Sequence, residues 1–287
     1  MKVRAVFCAA LLLGGCASVP GPPPSQLGLD PFYARHLDAG GIPVVSSRQV
    51  PDEALYRARR IILGMLDHRP DLRAELARQG YRVAILAQSE GVLDLPEQAH
   101  WARPAVDDPR LTRCERKHYA ERISRLTDRQ YWDARARGMA GKLTSGAEED
   151  LLGMASSRWY GETIFVHEFA HNILYAIEAA DPALYRAVEA AFANAREKGL
   201  WKDEYAMTTV QEYWAEGTQF WFNSNRVAVM AGQRVLSDQD LEKYDPDLHA
   251  VLRRAYGARH RLPGDPFWNH PARVPPGPLP ENTAEVC

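Results

Sequence analysis

The sequence predicts a helix-rich α+β fold with a small sheet. Apolar residues recur at helical spacing through most segments. Prolines and glycines fall where those helices would begin and end. Residues 81–87 (YRVAILA) carry the apolar density of a strand. The 287 residues are 46% hydrophobic and 25% charged, which is ordinary for a globular chain able to bury a sizeable core. A net charge of −2 supplies no basic excess to hold nucleic acid, and that class of partner is set aside.

The first residues read as an address. Lys2 and Arg4 give a positive start, and Val3 to Leu13 is a short apolar run, too short to span a bilayer and laid out like a secretory signal peptide over residues 1–15. Leu13-Gly14-Gly15-Cys16 resembles a bacterial lipobox, which implies acylation of Cys16 and a lipid anchor in the cell envelope. Ala17 follows the cysteine. By resemblance to Gram-negative sorting signals, that residue implies the outer membrane, facing the periplasm or the cell exterior. Residues 16–30 form a Pro-rich linker, with three consecutive prolines favouring extended backbone. With Cys8 removed and Cys16 acylated, Cys114 and Cys287 remain. In an oxidising compartment these two either pair or stay as free thiols, and both readings are open.

The main domain is expected over residues 31–262. Residues 52–67 place Leu55, Ala58, Ile62 and Met65 on one face with arginines opposite, an amphipathic helix. Pro70 restarts a helix that Gly80 ends. Residues 88–145 resist assignment apart from a helical stretch near 127–137. Helical spacing returns over 161–179, and Pro182 opens a further helix. Residues 209–223 and 247–259 complete the set. Residues 263–287, rich in proline, read as an irregular tail draped over the domain.

Chemistry concentrates at His167-Glu168-Phe169-Ala170-His171. Residues at i and i+4 of a helix share a face, so both imidazoles can reach one metal ion. Glu168 is rotated about 100° away and can touch a water beside the ion without ligating it. This is the HExxH pattern of water-activating zinc sites. Phe169 and Ala170 flank the histidines with apolar and small side chains, as a buried active-site helix requires and a surface helix does not.

A catalytic zinc takes three protein ligands and leaves one position open. Leu174 stands where the longer HExxHxxGxxH motif has glycine, so that extension is absent. His118, His249, His260 and His270 are available. So are Glu212 and Glu216, at i and i+4 of an aromatic helix. Two carboxylates there are costly to bury alone, and a metal for one with a ligand imidazole for the other satisfies both. A solvent-exposed acidic stripe is the plain alternative. Ser157-Arg158-Trp159-Tyr160-Gly161 runs into the HExxH helix. Trp159 and Tyr160 there serve either as cleft walls or as core.

The pairing of HExxH with Glu212-Tyr213-Trp214-Ala215-Glu216, and with Tyr205 seven residues before Glu212, resembles the gluzincin metallopeptidases, in particular the family of the anthrax lethal factor catalytic domain. The resemblance covers roughly residues 160–225. It implies a zincin-like catalytic domain binding one Zn2+ through His167, His171 and Glu212. It also implies Glu168 as general base, Tyr205 as donor to the oxyanion, and Glu216 as a second-layer residue orienting a histidine ligand. The expected function is a zinc metallopeptidase acting on peptide or protein substrates. Two alternatives stay open: a non-catalytic zincin-like binding lipoprotein, and a zinc amidase acting on peptidoglycan or a glycoconjugate.

Overall fold

The computed structural model describes residues 19–109, 111 and 113–279. The expected signal peptide, the Cys16 acylation site and Cys287 lie outside the described residues. Cys114 is buried and disulfide-bonded.

The architecture is helix-rich α+β. A four-stranded sheet runs in the order β1 (Arg35–Asp38), β2 (Pro43–Ser46), β3 (Arg82–Leu86), β4 (Leu143–Ala147). β1 and β2 form an antiparallel hairpin, whereas β2, β3 and β4 run parallel. Parallel neighbours need a crossover. Between β2 and β3 it is supplied by α1 (Asp52–Met65) and α2 (Pro70–Arg78). Each boundary has a local cause: Pro70 sits at the first turn of α2, and Gly80 beyond its end adopts a left-handed φ of 76°.

The stretch between β3 and β4 carries α3 (Arg113–Lys117) and α4 (Asp128–Arg135). Thr127 and Gln130 close a reciprocal capping box at the start of α4. After α5 (Glu148–Leu151) comes α6 (Ile164–Ala180), the central helix, followed by α7 (Pro182–Glu197) and α8 (Val210–Trp221). A two-stranded ribbon, β5 (Ala228–Met230) and β6 (Gln233–Val235), leads to α9 (Asp238–Tyr244) and α10 (Pro246–Tyr256).

α6 is apolar on most of its circumference because it is surrounded. Phe165, Phe169, Ile173 and Leu174 are fully buried between the sheet and α8. The indole of Trp214 on α8 donates to the Ala170 carbonyl at 3.0 Å, pinning the two helices. β4 passes so close to α6 that a Cβ at Gly146 would stand 2.7 Å from the Phe165 ring. Truncating a fully buried phenylalanine costs about 3–5 kcal/mol, so this packing is what holds the polar face of α6 in register.

The segment 263–279 packs on the start of α6. Asp265 accepts from the Thr163 and Ser224 hydroxyls at 2.6 and 2.7 Å, and Phe267 is fully buried. Among the described residues no helix is long and apolar enough to cross a membrane.

Candidate metal centre

α6 begins without a side-chain cap of its own. Asp150, from the end of α5, instead receives the backbone N–H of Ile164 at 3.1 Å and of Phe165 at 3.0 Å. Those are two of the orphan donors that a helix start leaves. One turn in, His167 and His171 project from the same face with ring centroids 5.0 Å apart. Glu212 is in the first turn of α8, whose N-cap Thr209 accepts the Glu212 N–H at 3.1 Å. The α6–α8 contact sets its carboxylate 2.9 Å from His167 Nε2 and 3.6 Å from His171 Nε2.

The ligand atoms of the three residues all lie within 4.8 Å of one another. Two neutral imidazole nitrogens and one carboxylate oxygen around a common point fit a borderline cation, and zinc best. Burial opposes charge on His167, but the bonded Glu212 carboxylate outweighs it and raises the imidazole's pKa. Glu212 is lowered in turn by that partner in spite of its own burial.

The other histidines are elsewhere. His118 pairs with Glu121 at 3.2 Å, His249 lies against Trp221, His260 faces the Trp221 carbonyl, and His270 accepts the Ala272 N–H. Among the described residues, His167, His171 and Glu212 form the group that could hold an ion.

Glu168 is half-buried beside this group. Burial pushes its carboxyl up to about 7, with Glu212 adding to the effect, while His167, the Ala140 N–H and Arg135 work against it. The chain turns across Glu168 at Gly138, where a Cβ would come to 3.1 Å from Glu168 Cγ and 3.3 Å from Ser145 O. Only glycine passes there without moving the glutamate. If Glu168 acts as the base, Gly138→Ala is expected to lower turnover by about tenfold or more, since misplacing a reacting group is costly, with metal content unchanged. Steady-state kinetics beside metal analysis checks this, and wild-type turnover would contradict it.

Tyr205 arrives on a loop in which Trp201 and Asp203 both adopt left-handed φ (55° and 62°), a strained conformation held by outside bonds. The Trp201 indole donates to Asp245 at 2.8 Å, as does the Tyr213 hydroxyl at 2.7 Å. The Tyr205 ring stacks 6.4 Å from His167, and its hydroxyl bonds Glu212. Burial and Glu212 raise the phenol well above its ordinary range, so it remains a donor.

His167 Nδ1 has two neighbours on α8. Gln219 Oε1 stands at 3.0 Å and Glu216 Oε1 at 3.5 Å. The Gln219 amide nitrogen reaches the Thr163 carbonyl at 3.3 Å, which turns its oxygen towards the imidazole. Nδ1 then carries the proton and Nε2 faces the ion site. Glu216 also accepts from Asn225 at 2.9 Å. Gln219 does not figure in the sequence reading, although it lies at i+7 from Glu212 and so on the same helical face.

Tyr160 packs edge-on against Phe267 at 5.4 Å, and Trp159 carries the Arg158 guanidinium 4.9 Å above its ring. The strand beside the site is β4 at the sheet edge, bridged at Ser145 to Met139, whereas residues 82–86 form one of the two interior strands.

Together these side chains form a helix-borne group of two imidazoles and one carboxylate that could hold a cation, with a half-buried glutamate and a phenol beside it. No family model and no curated protein matches the chain. Among solved structures it is similar to the PRO-PRO endopeptidase PPEP-2 from Paenibacillus alvei. The identity is 14% and the TM-score 0.47, covering 74% of this chain and 96% of that one. The chemistry of this chain is accordingly read from its own side chains.

Proposed function

We propose that the chain is a zincin-like zinc metallopeptidase that hydrolyses peptide bonds at the cell envelope, anchored through Cys16. The observation that carries the reading is the convergence of His167, His171 and Glu212, from helices far apart in the chain, beside Glu168. These three residues would hold the ion. Zinc bound there would supply Lewis acidity, lowering the pKa of a water and polarising a carbonyl.

Everything else falls to the chain. Glu168, on the same helix as both histidines, takes a proton from the attacking water and returns it to the leaving amine. Its carboxyl, lifted by burial towards neutrality, suits both halves of that transfer. Tyr205 donates its hydroxyl to the oxygen that gains charge in the tetrahedral state. Gln219 and Glu216 hold the His167 ring so that Nε2 stays aimed at the site. The anchor is supported by the Leu13-Gly14-Gly15-Cys16 sequence and the prolines that follow it.

Tyr205→Phe is expected to reduce kcat by about 10²–10³-fold, the usual loss for one oxyanion donor, with zinc content unchanged. An unchanged kcat would remove Tyr205 from the chemistry.

The reading as a whole is tested by metal analysis of the purified protein and digestion of a peptide library with and without chelator. One zinc per chain is expected, with cleavage lost on chelation and restored by added zinc. Chelator-insensitive cleavage, or zinc without cleavage of any peptide, would overturn it.

A further inference from the structure

Thr163 is the N-cap of α6, and threonine is favoured there because its hydroxyl can accept a backbone N–H. Here the side chain does not cap. Asp150 receives the Ile164 and Phe165 N–H groups in its place, and the Thr163 hydroxyl donates to Asp265 at 2.6 Å. The other oxygen of that carboxylate accepts from the Ser224 hydroxyl at 2.7 Å. Thr163 opens the helix that carries His167 and His171, and Ser224 lies just beyond the helix that carries Glu212. One carboxylate therefore ties together the ends of the two helices on which the three candidate ligands stand.

Backbone bonds close the same joint. The Thr163 N–H donates to the Ser224 carbonyl at 2.9 Å, and the Ser224 N–H to the Gln219 carbonyl at 2.8 Å. The Gln219 amide nitrogen donates to the Thr163 carbonyl at 3.3 Å, while its oxygen stands 3.0 Å from His167 Nδ1. Thr163, Ser224 and Gln219 are all buried, so these bonds are shielded from solvent. An unbroken chain of contacts thus leads from Asp265 to a ligand imidazole.

The second neighbour of His167 Nδ1 is reached from the same segment. Arg273, also buried, donates from Nε to the Asn225 carbonyl at 2.8 Å. The Asn225 side chain donates to Glu216 Oε2 at 2.9 Å, and Glu216 Oε1 lies 3.5 Å from His167 Nδ1. The segment itself is firmly seated. Phe267 is fully buried and edge-on to Tyr160, and the Ala272 carbonyl passes so close to Gly161 that a Cβ there would overlap it.

We propose that Asp265 is a positioning residue of the metal centre. Through Thr163 and Gln219 it sets the His167 ring and joins α6 to α8, which makes the proline-rich segment after the last helix a working part of the site. The proposal rests on the reading of His167, His171 and Glu212 as zinc ligands and deepens it.

The test is a double-mutant cycle on zinc affinity, read by competition with a chromophoric chelator, in the wild-type chain, Asp265→Asn, Gln219→Ala and the double variant. Asp265→Asn keeps the volume of the side chain but turns one accepting oxygen into a donor. Loss of an outer hydrogen-bond partner costs a metal ligand about 10–100-fold in affinity. Gln219→Ala should fall in that range and Asp265→Asn at its lower end, about tenfold. The double variant should bind little more weakly than Gln219→Ala alone, because residues on one route do not add. The visible absorption of the cobalt-loaded protein, which reports the ligand geometry, should shift in Asp265→Asn and in Thr163→Val, which removes the hydroxyl at the other end of the bond. A residue that only stabilised the fold would lower Tm and leave affinity and spectrum unmoved in protein that circular dichroism shows to be folded. Should Asp265→Asn not fold, Thr163→Val takes its place in the cycle with the same expectation. Wild-type affinity in both variants, or a loss that adds in full to that of Gln219→Ala, would overturn the proposal. A wild-type chain that binds no zinc would overturn the ligand reading itself, and the proposal with it.

Discussion

Glu168→Gln is expected to leave zinc bound and to bring hydrolysis down to background. The amide keeps the volume of the glutamate, so the close passage of Gly138 and the hydrogen bond from Ala140 need not change. It removes the acceptor that takes the water proton, and it cannot hand a proton to the leaving amine. General acid–base groups contribute roughly 10²–10⁴-fold, and here one residue serves in both directions, so the loss should lie at the upper end. Glu168 is not among the three groups within 4.8 Å that could hold the ion, so metal content should equal that of the wild type. Turnover that survives would show another group acting as the base.

Glu212→Ala should have the second large effect, for a different reason. The carboxylate is one of three donors, and both imidazoles lose their shared neighbour with it. Loss of an outer hydrogen-bond partner costs a metal site about 10–100-fold in affinity, and loss of a direct ligand should exceed that. The fold should survive, because α8 is held by Tyr213, Trp214 and Phe220 in the core and by its Thr209 cap. Elemental analysis after dialysis against weak chelator, with circular dichroism as the control, reads the outcome. Full zinc occupancy in the variant would reject Glu212 as a ligand.

How far the sequence discloses this protein depends on the range of the interaction. Helices with local punctuation are plain: Pro70 and Gly80 bracket α2, Pro182 opens α7, and Thr127 caps α4. The pair His167 and His171 is equally local, since one helical turn suffices to bring them together. β4 is not legible in the same way. Leu143-Thr144-Ser145-Gly146-Ala147 is small and polar, and it is a strand because β3 pairs with it and because Phe165 needs the room over Gly146. β1 and β2 are four residues each, too short to show a period. Gly138 gives no signal at all, since its role depends on a glutamate thirty residues later. Gln219 does carry a signal, being in phase with Glu212 and Glu216, but a neutral amide among acids does not announce itself as the partner of His167.

The measurement that bears most directly on the account is anomalous diffraction at the zinc edge from crystals of the metal-loaded protein. One peak is expected between α6 and α8, with His167 Nε2, His171 Nε2 and a Glu212 oxygen each about 2.0–2.2 Å away and a fourth position open beside Glu168. A peak elsewhere in the molecule, or a Glu212 carboxylate turned away from a zinc that the histidines hold with some other residue, would contradict it.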